Sequence, residues 1–268
     1  MQETASPFLS LALWSEWLFV FFLLIAGGIF WLRHKRTGFM ILYLTVLSLS
    51  VSFIITLYFP YLYTEDMPVP ITHPHIQATM TLTAFLIPLA KKRMTVLVLL
   101  VPITAMSFIY LLLHQIPALS IVGGILIGGF ISYSYYRSQD WMGAMPEPFL
   151  FLFAAVLPMF IAVLVYPQTP FLYLAGVLFG TGVGAAYEQL KVRMIYEGTL
   201  LRNRVQAMVI GSFGIISGYL LYTLGLFNSP FLNFSFGLLT GLWITFIVPL
   251  LLVSLGFFSK EGAEERVF

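Results

Sequence analysis

A chain of 268 residues that is 60% hydrophobic and 9% charged, with a mean hydropathy of +0.95, reads as an integral membrane protein, because soluble domains carry roughly 25% charged residues. The formal net charge of +2 points to no partner by itself, no basic tract suits nucleic acid, and the absence of cysteine excludes disulfides, thiol catalysis and thiolate-held metal. The apolar runs are continuous and lack the alternation of membrane β-strands, so the expected fold is an all-α polytopic bundle.

Taken in chain order, nine runs have the length or composition of a membrane helix: 11–32, 38–59, 76–90, 94–113, 118–136, 149–166, 171–188, 206–226 and 232–257. The first follows ten residues without Lys or Arg and has no small-residue cleavage site after it, so it is expected to stay as a permanent span. Glu16, between Trp14 and Trp17, suits an interfacial side chain. The third run is short, as suits a helix that starts inside a pocket. Gly124 and Gly128, then Gly176, Gly180 and Gly184, then Gly214 and Gly218 form stripes that let helices approach closely within the bundle. Pro88, Pro102, Pro158 and Pro249 mark expected kinks. Glu188 is expected to pair with Lys191 near the end of the seventh run.

All 13 Lys and Arg fall on one side of this nine-span arrangement: Arg33, Lys35, Arg36, Lys91, Lys92, Arg93, Arg137, Lys191, Arg193, Arg202, Arg204, Lys260 and Arg266. That side is expected to be cytoplasmic, with the N-terminus outside and the C-terminus inside. The division follows as a core over 1–140, additional helices over 141–257 and a cytoplasmic tail over 258–268. No cofactor and no nucleic-acid partner is expected.

Three of the four histidines, His73, His75 and His114, fall on the opposite side, which carries no Lys or Arg at all. Imidazoles gathered in this way act together as nucleophile and acid, or as metal ligands, or remain from a site that once did so. A nitrogen and oxygen set for zinc can be written from His73, His75 and His114 with a carboxylate from Glu65 or Asp66.

The spacing of Ser107, Phe108, His114 and Ala118 resembles the third motif of the type 2 phosphatidic acid phosphatase superfamily: serine-arginine, five residues, histidine, three residues, aspartate. Thr72-His73-Pro74-His75 resembles its proline-serine-glycine-histidine motif in the final histidine, and Thr56 with Tyr63-Thr64 falls where the lysine and arginine-proline of the first motif stand. Phe30-Trp31 before a basic loop and the order of the motifs are also similar to bacterial members. The resemblance covers 1–140 closely and the remainder loosely. It implies a bacterial plasma-membrane protein with an extracytoplasmic pocket, His114 as nucleophile, His75 as general acid and Ser107 retained beside them.

The same comparison removes what hydrolysis needs. The three cation positions are occupied by Thr56, Tyr63 and Phe108, and phosphoryl transfer depends on neutralising the equatorial oxygens. Losing one such donor costs about 10²–10³ in rate, and losing an orienting carboxylate, here replaced by Ala118, about 10⁴ in an analogous triad. Pro74 also lacks the backbone N–H of the motif glycine. The expectation is therefore a catalytically impaired relative, with Tyr58, Tyr61, Tyr63 and Phe108 filling an outward-facing pocket that binds a lipid, an isoprenoid carrier or another membrane protein. The alternatives are an active lipid phosphate or diphosphate phosphatase with a rebuilt, metal-assisted site, and a lipid transporter or flippase.

Overall fold

The computed structural model describes residues 7–59, 62–63, 68–143, 147–196, 199–225 and 229–260, with side chains from Leu18 onward except those of 62–63, 68, 139–143, 147–151 and 153. Its helices are α1 (Pro7–Leu32), α2 (Lys35–Tyr58), α3 (Pro74–Leu86), α4 (Arg93–Leu112), α5 (Ala118–Gly143), α6 (Glu147–Val165), α7 (Thr169–Tyr187), α8 (Leu201–Thr223) and α9 (Pro230–Leu242). A π-helical turn, Trp243–Ile247, carries α9 into α10 (Val248–Ser254), and another, Glu188–Val192, ends α7. Two short antiparallel ladders lie in the connections, β1 (Leu62–Tyr63) with β2 (Pro68–Val69) and β3 (Met194–Ile195) with β4 (Ser259–Lys260).

Each of the nine apolar runs forms helix, but among the described residues six segments are long and apolar enough to cross a membrane. These are 35–58, 93–112, 118–138, 169–192, 201–223 and 230–254, while α1 and α6 contribute shorter apolar stretches. The third run is the clearest departure. It forms only the 13 residues of α3 before a 3₁₀ turn, Ile87–Leu89, which contains Pro88. At 1.5 Å per residue α3 is about 20 Å long, short of a ~30 Å hydrocarbon core.

Hydrogen bonds fix which helix ends lie together. Lys35 Nζ donates to Glu188 Oε1 (2.7 Å), Tyr196 Oη to the Phe30 carbonyl (2.5 Å), Asn203 Nδ2 to the Phe257 carbonyl (2.8 Å) and Tyr136 Oη to the Phe85 carbonyl (2.6 Å). At the other end, Tyr58 Oη donates to the Leu164 carbonyl and His75 meets Tyr110. Every described Lys and Arg lies at or near the first of these ends; Arg266 is outside the described residues. Glu188 pairs with Lys35 and not with Lys191: Glu188 and Lys191 both lie in the π turn, whose wider winding carries a residue three positions on away from the same face.

The most extensive helix pairing is α7 with α9, and it is built by glycine on both sides. A Cβ at Gly180 would stand 2.1 Å from the Leu238 carbonyl oxygen, and one at Gly237 would stand 2.0 Å from that of Tyr173. α3 packs between α2, α4 and α5, with Gly128 of α5 lying on the Gln77 carbonyl. Several polar groups in this interior are paired across helices. Gln77 Nε2 donates to the Ser48 carbonyl, Thr81 Oγ1 to Ser48 Oγ, and Ser132 Oγ to the Thr81 carbonyl. These bonds replace the water that a membrane interior does not supply.

Candidate functional site

His73 is extended (φ −113°, ψ 122°) and caps α3, its carbonyl accepting from Gln77 N at 3.0 Å. Pro74 then occupies the first helical position, where a missing N–H is tolerated. This start sets His73 and His75 at one end of the bundle, beside the last turn of α4. His75 Nδ1 and the Tyr110 hydroxyl share a hydrogen bond of 2.6 Å. The Tyr110 ring centre lies 4.2 Å from that of His73 and 5.3 Å from that of His114, and the two rings of His73 and His75 are 5.5 Å apart. Tyr110, which occupies no motif position, is therefore the side chain that joins all three histidines. Its sequence signal was its place one turn before His114 and one turn after Ser107, on the face of α4 that also buries Ile103.

The electrostatics of the cluster are set by burial at His73. Burial, reinforced by His75 and His114, holds the His73 imidazole down to about 4, so it is uncharged at neutral pH. His73 Nδ1 is buried and has no hydrogen-bond partner among the described residues. No described Lys or Arg accompanies the rings, as the described basic residues lie at the opposite end.

The remaining described motif positions do not converge on this cluster. Ser107 Oγ donates to the carbonyl of Ile103 in its own helix at 2.8 Å. Thr56 Oγ1 does the same with Ser52, and Thr56 is exposed, as is Ala118 at the start of α5. Phe108 does not fill the pocket: it is 58% exposed on the outside of the bundle, since two residues from Tyr110 is about 200° around a helix. Tyr58 also points outward. Thr72 is buried, donating to Gln77 Oε1 at 2.8 Å, so it ties the loop to α3. His114 stands exposed in the turn after α4, where Gln115 adopts φ 52°. Tyr63 belongs to β1; its side chain, together with Tyr61, Thr64, Glu65 and Asp66, lies outside the described residues. The imidazoles of His73, His75 and His114 surround a tyrosine ring and do not converge on a point. Among the described residues no group of three or more His, Asp or Glu could hold a metal ion.

His75 also borders a cavity of about 820 Å³ inside the bundle, within the range of small-molecule pockets. Its wall draws on α1, α2, α3, α4, α7, α8 and α9 and is mostly aliphatic and aromatic, with Phe53 and Phe171 stacked at 4.4 Å between ring centres. Along α3 it follows Ala78, Thr79, Leu82 and Leu86, a stripe at helical spacing that runs roughly 16 Å from His75. On α1, Leu18, Phe21 and Ile25 line the cavity and are also exposed at 49%, 60% and 46%, so it reaches the outer surface of the bundle along this helix. The described aromatic lining thus comes from α1, α2, α7, α8 and α9, and neither Tyr58 nor Phe108 contributes to it.

Residues 172–261 match the family model described as PAP2 superfamily phosphatase, transmembrane extension, which supports membership of the chain in the PAP2 superfamily. The match spans α7 to β4, the part expected to resemble the family loosely, and does not include the motif region 56–118. No similar curated protein and no similar solved structure was found.

Proposed function

We propose that this membrane protein of the PAP2 superfamily binds a long-chain membrane lipid in its bundle cavity and does not hydrolyse phosphate esters. One observation carries the reading: the histidine cluster borders a large apolar cavity yet has no guanidinium or ammonium group among the described residues beside it. A phosphate group there would keep its charge without the cations that normally stabilise phosphoryl transfer. Ser107 is turned into its own helix and His114 has Ala118 in place of an orienting carboxylate, which weighs in the same direction. The segregation of Lys and Arg to the far end supports an extracytoplasmic histidine end, in a bacterial plasma membrane, as part of this reading.

The test is to purify the protein in lipid nanodiscs, measure phosphate release from phosphatidic acid, and identify co-purified lipid by native mass spectrometry. Retained lipid without phosphate release above empty nanodiscs is the expected result. Phosphate release that disappears in His114→Ala would overturn the proposal and favour an active enzyme with a rebuilt site.

A further inference from the structure

The cavity wall bears on the kind of lipid as well as on its length. Among the described residues that line it there is no Lys, Arg, Asp or Glu. Its polar groups are uncharged: His75 at one end, then hydroxyls and an indole further along, Thr45 and Thr79 among them. Thr45 is 6% exposed, and its Oγ1 is buried without a hydrogen-bond partner among the described residues. Several helical threonines in this chain donate to the carbonyl four residues back, as Thr56, Thr81, Thr104 and Thr240 do, whereas Thr181 Oγ1 is, like that of Thr45, buried without a described partner. Thr45 makes no such bond, and a buried hydroxyl without a partner is unfavourable unless a ligand satisfies it.

Resting on the lipid-binding reading above, we infer that the cavity takes a lipid alcohol, an uncharged single-chain amphiphile whose hydroxyl bonds to the wall, and disfavours the same chain carrying a phosphate. A hydroxyl group both donates and accepts, as do a threonine hydroxyl and a neutral imidazole pair of nitrogens, so each can be satisfied without charge. A phosphate monoester carries between one and two negative charges at neutral pH, by analogy with about −1.5 to −2 for phosphoserine. Moving that charge into a wall without cations is strongly unfavourable. The roughly 16 Å run along α3 suits a chain lying lengthwise, and the exposed lining of α1 offers entry from the lipid side.

The experiment compares oleyl alcohol with oleyl phosphate, titrated into delipidated protein in a non-ionic detergent and followed by native mass spectrometry. The alcohol is expected to bind more tightly than the phosphate by at least about tenfold. Thr45→Val keeps the shape of the side chain and removes the hydroxyl. It is expected to weaken the alcohol by about fivefold while leaving the melting temperature of the empty protein unchanged or higher. Phosphate binding as tightly as alcohol overturns the inference and leaves the lipid-binding reading standing. Binding of neither overturns that reading, and this inference with it. Alcohol binding unchanged in Thr45→Val overturns the assignment of the hydroxyl contact.

Discussion

Tyr110 and His73 define the chemistry of the histidine cluster in opposite ways. The Tyr110 hydroxyl is paired with His75, so Tyr110→Phe leaves an imidazole nitrogen unpartnered and is expected to destabilise the protein by about 1–3 kcal/mol, measured by denaturant unfolding in detergent. Tyr110→Ala removes the ring contacts with His73 and His114 as well and is expected to be worse. His73, in contrast, has a buried nitrogen without a hydrogen-bond partner among the described residues. Its folded pKa, about 4, lies below the ordinary value of 6.5. The unfolded chain therefore binds a proton first as pH falls, so the stability due to neutral His73 is fully present above about 6.5 and is lost progressively toward about 4. Melting temperatures recorded between these limits should fall for the wild type and fall less for His73→Phe, which should also be no less stable at pH 7.5. An equally steep decline in both would show that another group governs the acid sensitivity.

The helices themselves rest on close approach as much as on apolar length. At Gly180 the Leu238 carbonyl oxygen lies where a Cβ would go, whereas at Gly218 the nearest contact, a Phe236 ring atom, is at an ordinary 3.5 Å. Gly180→Val should separate α7 from α9 and destabilise the bundle by about 3 kcal/mol or more, while Gly218→Ala should be nearly neutral; thermal unfolding of the two variants in the same detergent decides this. The pairing was half legible in advance. The stripe Gly176, Gly180, Gly184 announced a packing face; its reciprocal surface, Gly237 and Gly241, has the same four-residue spacing, but spacing alone does not show which stripe meets which. Apolar runs marked every helix, since a membrane demands them. They could not show that α3 ends after 13 residues, because the 3₁₀ turn at Pro88 continues the same apolar composition. At the site, motif spacing located His73, His75 and His114. Tyr110 escaped notice because an aromatic residue near a helix end reads as an interfacial anchor. The cavity left no sequence signal, being formed where seven helices fail to fill the space between them.

On the scale of the whole molecule, the family-matched residues 172–261 are joined to the amino-terminal helices at the basic end by contacts of long sequence separation. Trp31 Nε1 donates to the Ile244 carbonyl in the π turn at 2.8 Å, and Tyr196 closes on Phe30. Burial, then the nearby Glu188 carboxylate, pushes the Tyr196 phenol well above its usual range, so it stays a donor. The ion pair of Lys35 with Glu188 is the decisive link, because Glu188 is 2% exposed and also accepts from Met194 N at 2.9 Å. Removing only the cation, as in Lys35→Met, leaves a buried carboxylate with that backbone N–H as its remaining described partner, and should cost about 3–5 kcal/mol. Glu188→Gln alone keeps an acceptor for Met194 and gives up the charge, so it should be milder. In the double variant nothing charged remains buried, and most of the loss in Lys35→Met should be recovered. A double-mutant cycle by denaturant unfolding reads the coupling directly. If the two losses simply add, the pair is a surface-like contact and the halves are held by apolar packing around Trp31 alone; a coupling of more than about 2 kcal/mol shows that the carboxylate at the π turn fastens the extension to α2.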